Sequence, residues 1–140
     1  MAGVSIKGKA QRCGRGERMQ RDLELIRKIL LFFEEKNSPE MIELPPIEGY
    51  DENTLKTHLV LMFEAGLLRC EPVRSSTSDR VIYVLPFELT WNGHEFLDKV
   101  RSDSVWNRIR STIASQGGSI AFALVNQLAT HYAMELLKPS

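Results

Sequence analysis

The chain has 140 residues, 43% of them hydrophobic and 26% charged, and its 18 basic and 18 acidic residues leave no formal net charge. This is the composition of a globular protein with a packed core of its own. No run approaches the roughly 20 apolar residues of a membrane span, and residues 1–18 lack the hydrophobic stretch of a secretory signal. Two distant cysteines, Cys13 and Cys70, make neither a disulfide framework nor a zinc site. A cytoplasmic location is the resulting expectation.

The neutral total hides an asymmetry. Residues 1–22 carry six basic and two acidic side chains, net +4, and residues 23–140 carry 12 basic and 16 acidic ones, net −4. The basic stretch holds Gly3, Gly8, Gly14 and Gly16 and few apolar residues. Such a segment can contact phosphates, but it cannot bury enough surface to pack, so residues 1–18 are expected to be a disordered basic arm. Met19 stands just before the first periodic segment and is a second candidate start. Gly16-Glu17 ahead of it is compatible with a translated ribosome-binding sequence.

From Asp22 to Lys36, Leu23, Ile26, Ile29, Leu30 and Phe33 recur at helical spacing, with Arg27, Lys28, Glu34 and Glu35 elsewhere, and predict an amphipathic helix. Asn37-Ser38-Pro39 ends it. Met41–Leu44 is a short edge strand stopped by Pro45-Pro46, and Glu48-Gly49-Tyr50 is a turn. Asp51 caps a second helix, with Leu55, Leu59 and Met62 inward and Gly66 at its C-terminal end. Leu67–Arg74 and Arg80–Leu85 are strands joined by the polar turn Ser75–Asp79. Thr90 caps a helix through Arg101, and Asp103 caps another with Val105, Trp106, Ile109 and Ile113. Gly117-Gly118 breaks the chain, and Ser119 caps a last helix with Ala121, Leu124, Val125, Leu128, Tyr132 and Leu136 on one face.

The Glu64–Leu68 sequence EAGLL ends a helix directly before a hairpin, and LTWNGHEFL follows at Leu89–Leu97. This order resembles the recognition helix and wing of winged helix-turn-helix domains. MQRDLELIRKI at Met19–Ile29, PIEGY at Pro46–Tyr50, and Val105-Trp106 before Gly117-Gly118 are also similar to an uncharacterised bacterial and phage family. That family is known only as a domain of unknown function, and its members tend to begin at the position of Met19. The resemblance spans about residues 19–137. It implies an α+β, mostly helical chain: a winged-helix-like domain over residues 19–101, with a C-terminal helical extension over 102–140 packed on it. Only about fourteen residues separate the first two helices. A full first member of a helix-turn-helix pair does not fit beside Pro45-Pro46, so that member is degenerate.

By this resemblance the second helix enters a DNA groove and the hairpin touches backbone. Asn53, Lys56 and Thr57 then face the groove and Arg74 and Arg80 hold phosphates, which makes double-stranded DNA a candidate partner and transcription regulation a candidate role. Glu52 and Glu64 oppose phosphate approach, and the net charge of the folded part gives a weak electrostatic footprint. Val60 and Leu61, if exposed, suit a protein contact instead. The alternative is therefore an adaptor, inhibitor or dimerisation module, with Phe122 and Met134 off the last helix's stripe as a homodimer contact through Ala121–Leu137.

No catalytic constellation is found, and the chain is not expected to be an enzyme. His58, His94 and His131 lack metal-ligand spacing, and His58 reads as a hydrogen-bonded packing residue. Cys70 reads as a small buried hydrophobe whose pKa its neighbour Arg69 could lower. Adjacent acids such as Glu34-Glu35 and Asp51-Glu52 do not face one another on a helix. Gly117-Gly118 lacks the lysine of a phosphate loop. Trp91 and Trp106 read as packing aromatics. No cofactor, metal or small-molecule substrate is indicated.

Overall fold

A computed structural model describes residues 20–118 and 120–137. The basic arm at residues 1–18, Met19 and the cap assigned to Ser119 lie outside the described residues. Those residues form five helices and one two-stranded antiparallel sheet. In chain order they are α1 (Leu23–Glu35), α2 (Glu52–Glu64), β1 (Leu68–Arg74), β2 (Val81–Leu89), α3 (Trp91–Val100), α4 (Asp103–Ser115) and α5 (Phe122–Leu137). The class is α+β and mostly helical. None of the described helices is long and apolar enough to cross a membrane.

The first four helices start where a short polar side chain can accept from an orphan backbone N–H. The Asp22 carboxylate accepts from Glu24 and Leu25, Asp51 accepts from Thr54, and Thr90 accepts from Gly93. The cap of α4 is Ser102, whose hydroxyl accepts from Val105 N–H; Asp103, expected there, is the first helical residue and is engaged elsewhere. At the end of α2, Gly66 has φ +79°. Its N–H reaches Phe63 O, and Leu67 N–H reaches Met62 O at 2.9 Å. This paired closure requires the left-handed backbone that glycine adopts without strain, and it returns Leu67 to the core.

The hairpin differs from expectation at both edges. β2 continues past Leu85 to Leu89, through Pro86. The Pro86 carbonyl points away from β1 and accepts from Ile42 N–H at 3.1 Å. The missing N–H of Pro86 faces that same outer edge, so the β1–β2 ladder loses nothing. For the same reason no strand forms at Met41–Leu44. A third strand would need a donor from Pro86 in return, and proline has none. The segment keeps one hydrogen bond instead of a ladder, and Lys36 pins the chain before it by donating to Ser38, Glu40 and Phe87 carbonyls.

One apolar cluster joins all the helices to the hairpin: Leu25, Ile29 and Leu30 of α1, Leu59 and Met62 of α2, Leu97 of α3, Ile109 of α4 and Val125 of α5. Residues 102–137 thus share the core of residues 20–101. Gly93 of α3 sits so close to the α2–β1 junction that an added Cβ would stand 2.2 Å from Leu67 O. Here the requirement is contact, not torsion.

Arg27 belongs to this interior, against the expectation of a solvated α1 face. Its Nε donates to Val100 O and its Nη2 to Arg101 O, both at 2.7 Å, and Nη2 lies 3.0 Å from Asp103 Oδ1. The guanidinium also lies over the Trp106 ring, 5.4 Å from its centroid. Trp106 is buried, and its Nε1 donates to Glu24 Oε1 at 2.9 Å. Burial raises the Glu24 pKa, but hydrogen bonds from Trp106 and Arg110 outweigh it and hold the carboxyl below its ordinary value.

Two stability measurements check this packing. Arg27→Ala leaves helix-terminal carbonyls buried without donors and costs about 3 kcal/mol. Asp103→Ala removes a carboxylate that is 88% exposed and costs under about 1 kcal/mol, so urea denaturation separates the two. Gly93→Ala forces α3 off Leu67 and lowers stability by about 2 kcal/mol or more.

Candidate functional site

α2 is held by its buried face, and its opposite face is left to the solvent. Leu55, Leu59 and Met62 are buried as expected, and Thr54 is buried with them. His58 is completely buried. Its Nδ1 donates to Thr54 O at 2.8 Å, and its Nε2 accepts from the backbone N–H of Asp22, also at 2.8 Å. That pattern fixes the neutral tautomer. A side chain of α2 thus holds the N-cap of α1, and the two helices cannot slide against each other without breaking it. Burial lowers the His58 pKa, and the Thr54 carbonyl and Asp22 charge only partly oppose it.

The outward face carries Asn53, Thr57, Val60 and Glu64. Asn53 and Glu64 are exposed, and Thr57, Val60 and Leu61 are half-buried. Among the described residues the main neighbours of α2 are the hairpin strands. Lys56 stands at the edge toward β2. Its Nζ is 2.8 Å from Glu52 Oε2 and 5.6 Å from the centroid of Tyr83. Glu52, and more weakly Glu43, hold this ammonium above its ordinary pKa.

The hairpin's cations are also engaged. Arg69 pairs with Glu88 across the strands at 2.5 Å, and Arg74 Nη1 donates to Asp79 O at 2.9 Å. Among the described residues only Arg80, of the five predicted phosphate and base contacts, is a cation with neither an ion pair nor a side-chain hydrogen bond. Arg74 and Arg80 flank the turn, where Ser75 N–H donates to Arg80 O at 2.8 Å. Tyr83, which Lys56 touches, lies about 10 Å down the strand from Arg80. The structure therefore places Asn53, Lys56 and Thr57 together and sets Arg74 and Arg80 apart from them.

Beside this face are apolar groups that were not anticipated. Ile82 and Tyr83 are neighbours in β2, yet both are exposed, because the register shifts between Val73 and Arg74. Met41 is exposed near the same edge. Trp91, expected to pack, is 77% exposed at the start of α3. Its position was readable: on a helical wheel it stands opposite Gly93, Leu97 and Val100.

Along its other edge α2 borders a cleft of about 770 Å3. Thr57 and Leu61 form one wall, Leu23 and Ile26 of α1 another, and Ile113, Ile120 and Phe122 close it. Leu61 and Phe122, expected as separate protein contacts, thus share one concavity. Phe122 is half-buried, its ring 4.9 Å from that of Phe96, so it is a wall of the core and not a free interface residue. Met134 is exposed as expected. The expected α5 stripe is rotated: Val125 and Ala129 are buried, and Ala121, Leu124 and Leu136 are exposed.

His131 Nε2 is 3.0 Å from Glu135, and Glu34 pairs with Arg101. Cys70 is not activated by Arg69: burial pushes its thiol up to about 12, and Arg69 is spent on Glu88. Among the described residues no group of three His, Cys, Asp or Glu could hold a metal ion.

The His58 contact gives stability a specific pH dependence. Above about pH 6.5 both native and unfolded His58 are neutral and the contribution is complete. As pH falls below that value the unfolded chain binds a proton that the native site refuses. Stability then drops by up to about 1.4 kcal/mol per pH unit until the lowered native pKa is reached. Urea midpoints between pH 7.5 and 5.5 are expected to fall for the wild type and to fall less for His58→Gln.

The chain is similar to an uncharacterised protein of Haemophilus influenzae, 35% identical over 120 residues that cover 85% of this chain and 99% of that protein. No solved structure matches it. The family model described as hypothetical protein (DUF2513) matches residues 20–119, which run from the N-cap of α1 to the end of α4, and the chain belongs to that family.

Proposed function

We propose that the protein is an interaction module built on a reduced winged helix, and that its α2–hairpin face binds a partner protein. α1, α2 and the hairpin correspond to the helices and wing of that architecture. The single hydrogen bond from Ile42 to Pro86 stands where its third strand would be. Pro45-Pro46 and the Gly49 turn replace its middle helix.

The observation that carries a protein partner is the occupation of the cations. Phosphate binding draws its affinity from several Lys and Arg side chains that neutralise backbone charge. On this face Lys56 is matched by Glu52, Arg69 by Glu88, and Arg74 by a turn carbonyl, and Glu43 and Glu64 add negative charge. The exposed large apolar groups beside it are Ile82, Tyr83 and Met41, with Val60 half-buried. Aromatic and Met side chains with a polar rim are the usual composition of a protein contact.

DNA binding is the second reading. It is favoured by Arg74 and Arg80, both exposed at the open end of the hairpin, where a wing meets a phosphate backbone.

Two measurements on the full chain decide between them. Purification from the native host is expected to retain a stoichiometric protein partner with the wild type and to lose it with Val60→Asp/Tyr83→Ala. Duplex DNA titrated across a salt series is expected to show no binding that depends on Arg74 and Arg80. Binding that weakens with salt and falls when both become Ala, and survives removal of residues 1–18, overturns the protein reading in favour of DNA.

A further inference from the structure

His58 joins two helices through backbone groups alone, and both of its ring nitrogens are committed. Nδ1 donates to Thr54 O within α2, and Nε2 accepts from the Asp22 N–H at the start of α1, each at 2.8 Å. A second proton has one place to go, the Nε2 lone pair. There it turns the acceptor into a donor that faces the Asp22 N–H, and the bond between the helices is lost. The ring is wholly buried, so the new N–H must find an acceptor among its neighbours.

That acceptor is the Asp22 carboxylate, the charged group that acts on His58. Beside a neutral ring this carboxylate caps α1, with Oδ1 accepting from Glu24 and Leu25 N–H. Drawn to an imidazolium it leaves those donors open, and the first turn of α1 loses its cap as well as its tie to α2. The other ionisable groups of the packed elements are engaged elsewhere. On α1, Glu24 is held by Trp106 and Arg110, Arg27 by the end of α3, and Lys28 lies over Tyr50. On α2, Lys56 pairs with Glu52 and reaches Tyr83 of the hairpin, where Arg69 pairs with Glu88. Arg21, Glu64 and Glu71 are exposed.

The opening that follows is bounded. Leu25 is fully buried and Ile26 nearly so, and Arg27 anchors the helix to α3 and α4. Before them Gln20 and Arg21 are exposed, and Asp22 and Leu23 are half-buried. Gln20, Arg21 and Leu23 also form part of the cleft wall. We propose that protonation of His58 releases residues 20–23 from α2, so that mild acid loosens the start of α1 and one wall of the cleft while the core from Leu25 onward stays closed. Burial lowers the His58 pKa, so the closed form refuses a proton that the open form takes, and opening is favoured as pH falls below about 6.5. The device is independent of what the α2–hairpin face binds.

Amide hydrogen exchange of the full chain, followed by NMR, tests it. Corrected for intrinsic rates, protection of the Asp22, Glu24 and Leu25 N–H groups is expected to fall by up to about tenfold per pH unit below about pH 6.5. These amides are expected to be insensitive to about 1 M urea, because a local opening exposes little surface. The Ile109 and Val125 N–H groups are expected to exchange only through urea-sensitive unfolding. In His58→Gln, which offers an acceptor without a titrating group, the pH-dependent fall at the first turn is expected to vanish. First-turn amides that share the urea dependence of Ile109 overturn the proposal, because the opening is then global, and this comparison needs only the wild type. A pH-dependent local opening that persists in His58→Gln also overturns it.

Discussion

The guanidinium of Arg27 sits where three helices converge, and the arrangement of the molecule follows from satisfying it. Burying a cation is costly unless every donor finds an acceptor. The Nε and Nη2 donors of Arg27 are taken up because α3 ends at Val100 and Arg101, with their carbonyls free for want of a following helical turn. The same break lets Ser102 restart the chain as α4 and brings Asp103 to the far side of the group. α3 must therefore stop where it does, and α4 must leave at the angle that lays Trp106 against the arginine. That junction directs the α4–α5 hairpin across the core, so one interior charge fixes the placement of the C-terminal third.

His58 performs the corresponding task at the start of α1. Arg27 joins α1 to α3 and α4, and His58 joins it to α2 through the Asp22 backbone. α1 is thus pinned through its N-terminal half by two buried polar contacts whose geometry tolerates little sliding. α2 is thereby fixed against α1, and the hairpin packed beside it has two strands among the described residues.

Periodicity made most of this fold readable. The amphipathic stripes of α1, α3 and α4 have strong contrast between faces, and the caps Asp22, Asp51 and Thr90 act locally, so near-neighbour chemistry suffices to place them. Three features escaped for non-local reasons. The edge strand at Met41–Leu44 fails because of a proline more than forty residues away, at position 86. Arg27 looks solvated within its own helix, and only the end of α3 shows otherwise. α5 is apolar on several sides, so its sequence alone does not single out one buried stripe. Packing against α3 and α4 selects Val125 and Ala129, with Phe122 stacked on Phe96. The outward residues of α2 followed from the wheel, whereas the pairing of Lys56 and Arg69 with carboxylates needed the hairpin in place. Trp91 was legible on a wheel but was outweighed by the general habit of tryptophan to pack.

The way charge and apolar area are divided bears on what the molecule recognises. The described part has ample arginine and lysine, and these are used in its own junctions: Arg27 at the α3–α4 turn, Lys36 on three carbonyls, Arg101 on Glu34 and Asp98, and Arg108 over Tyr132 and beside Glu135. Each of these contacts ties one element to another or closes a loop, so the cations are mortar between helices. A surface evolved to hold a polyanion keeps its cations in reserve, because a charge already matched gains little from a phosphate. Leucine, methionine, tyrosine and tryptophan are the groups this chain leaves unmatched. Exposed examples lie on the hairpin at Ile82 and Tyr83, at the start of α3 at Trp91 and toward the end of α5 at Met134, Leu136 and Leu137. Exposed apolar area in groups is costly to a protein that remains alone in water. Its presence next to elements whose positions are locked from within is what favours the proposed reading of a protein-binding face over the DNA-binding one.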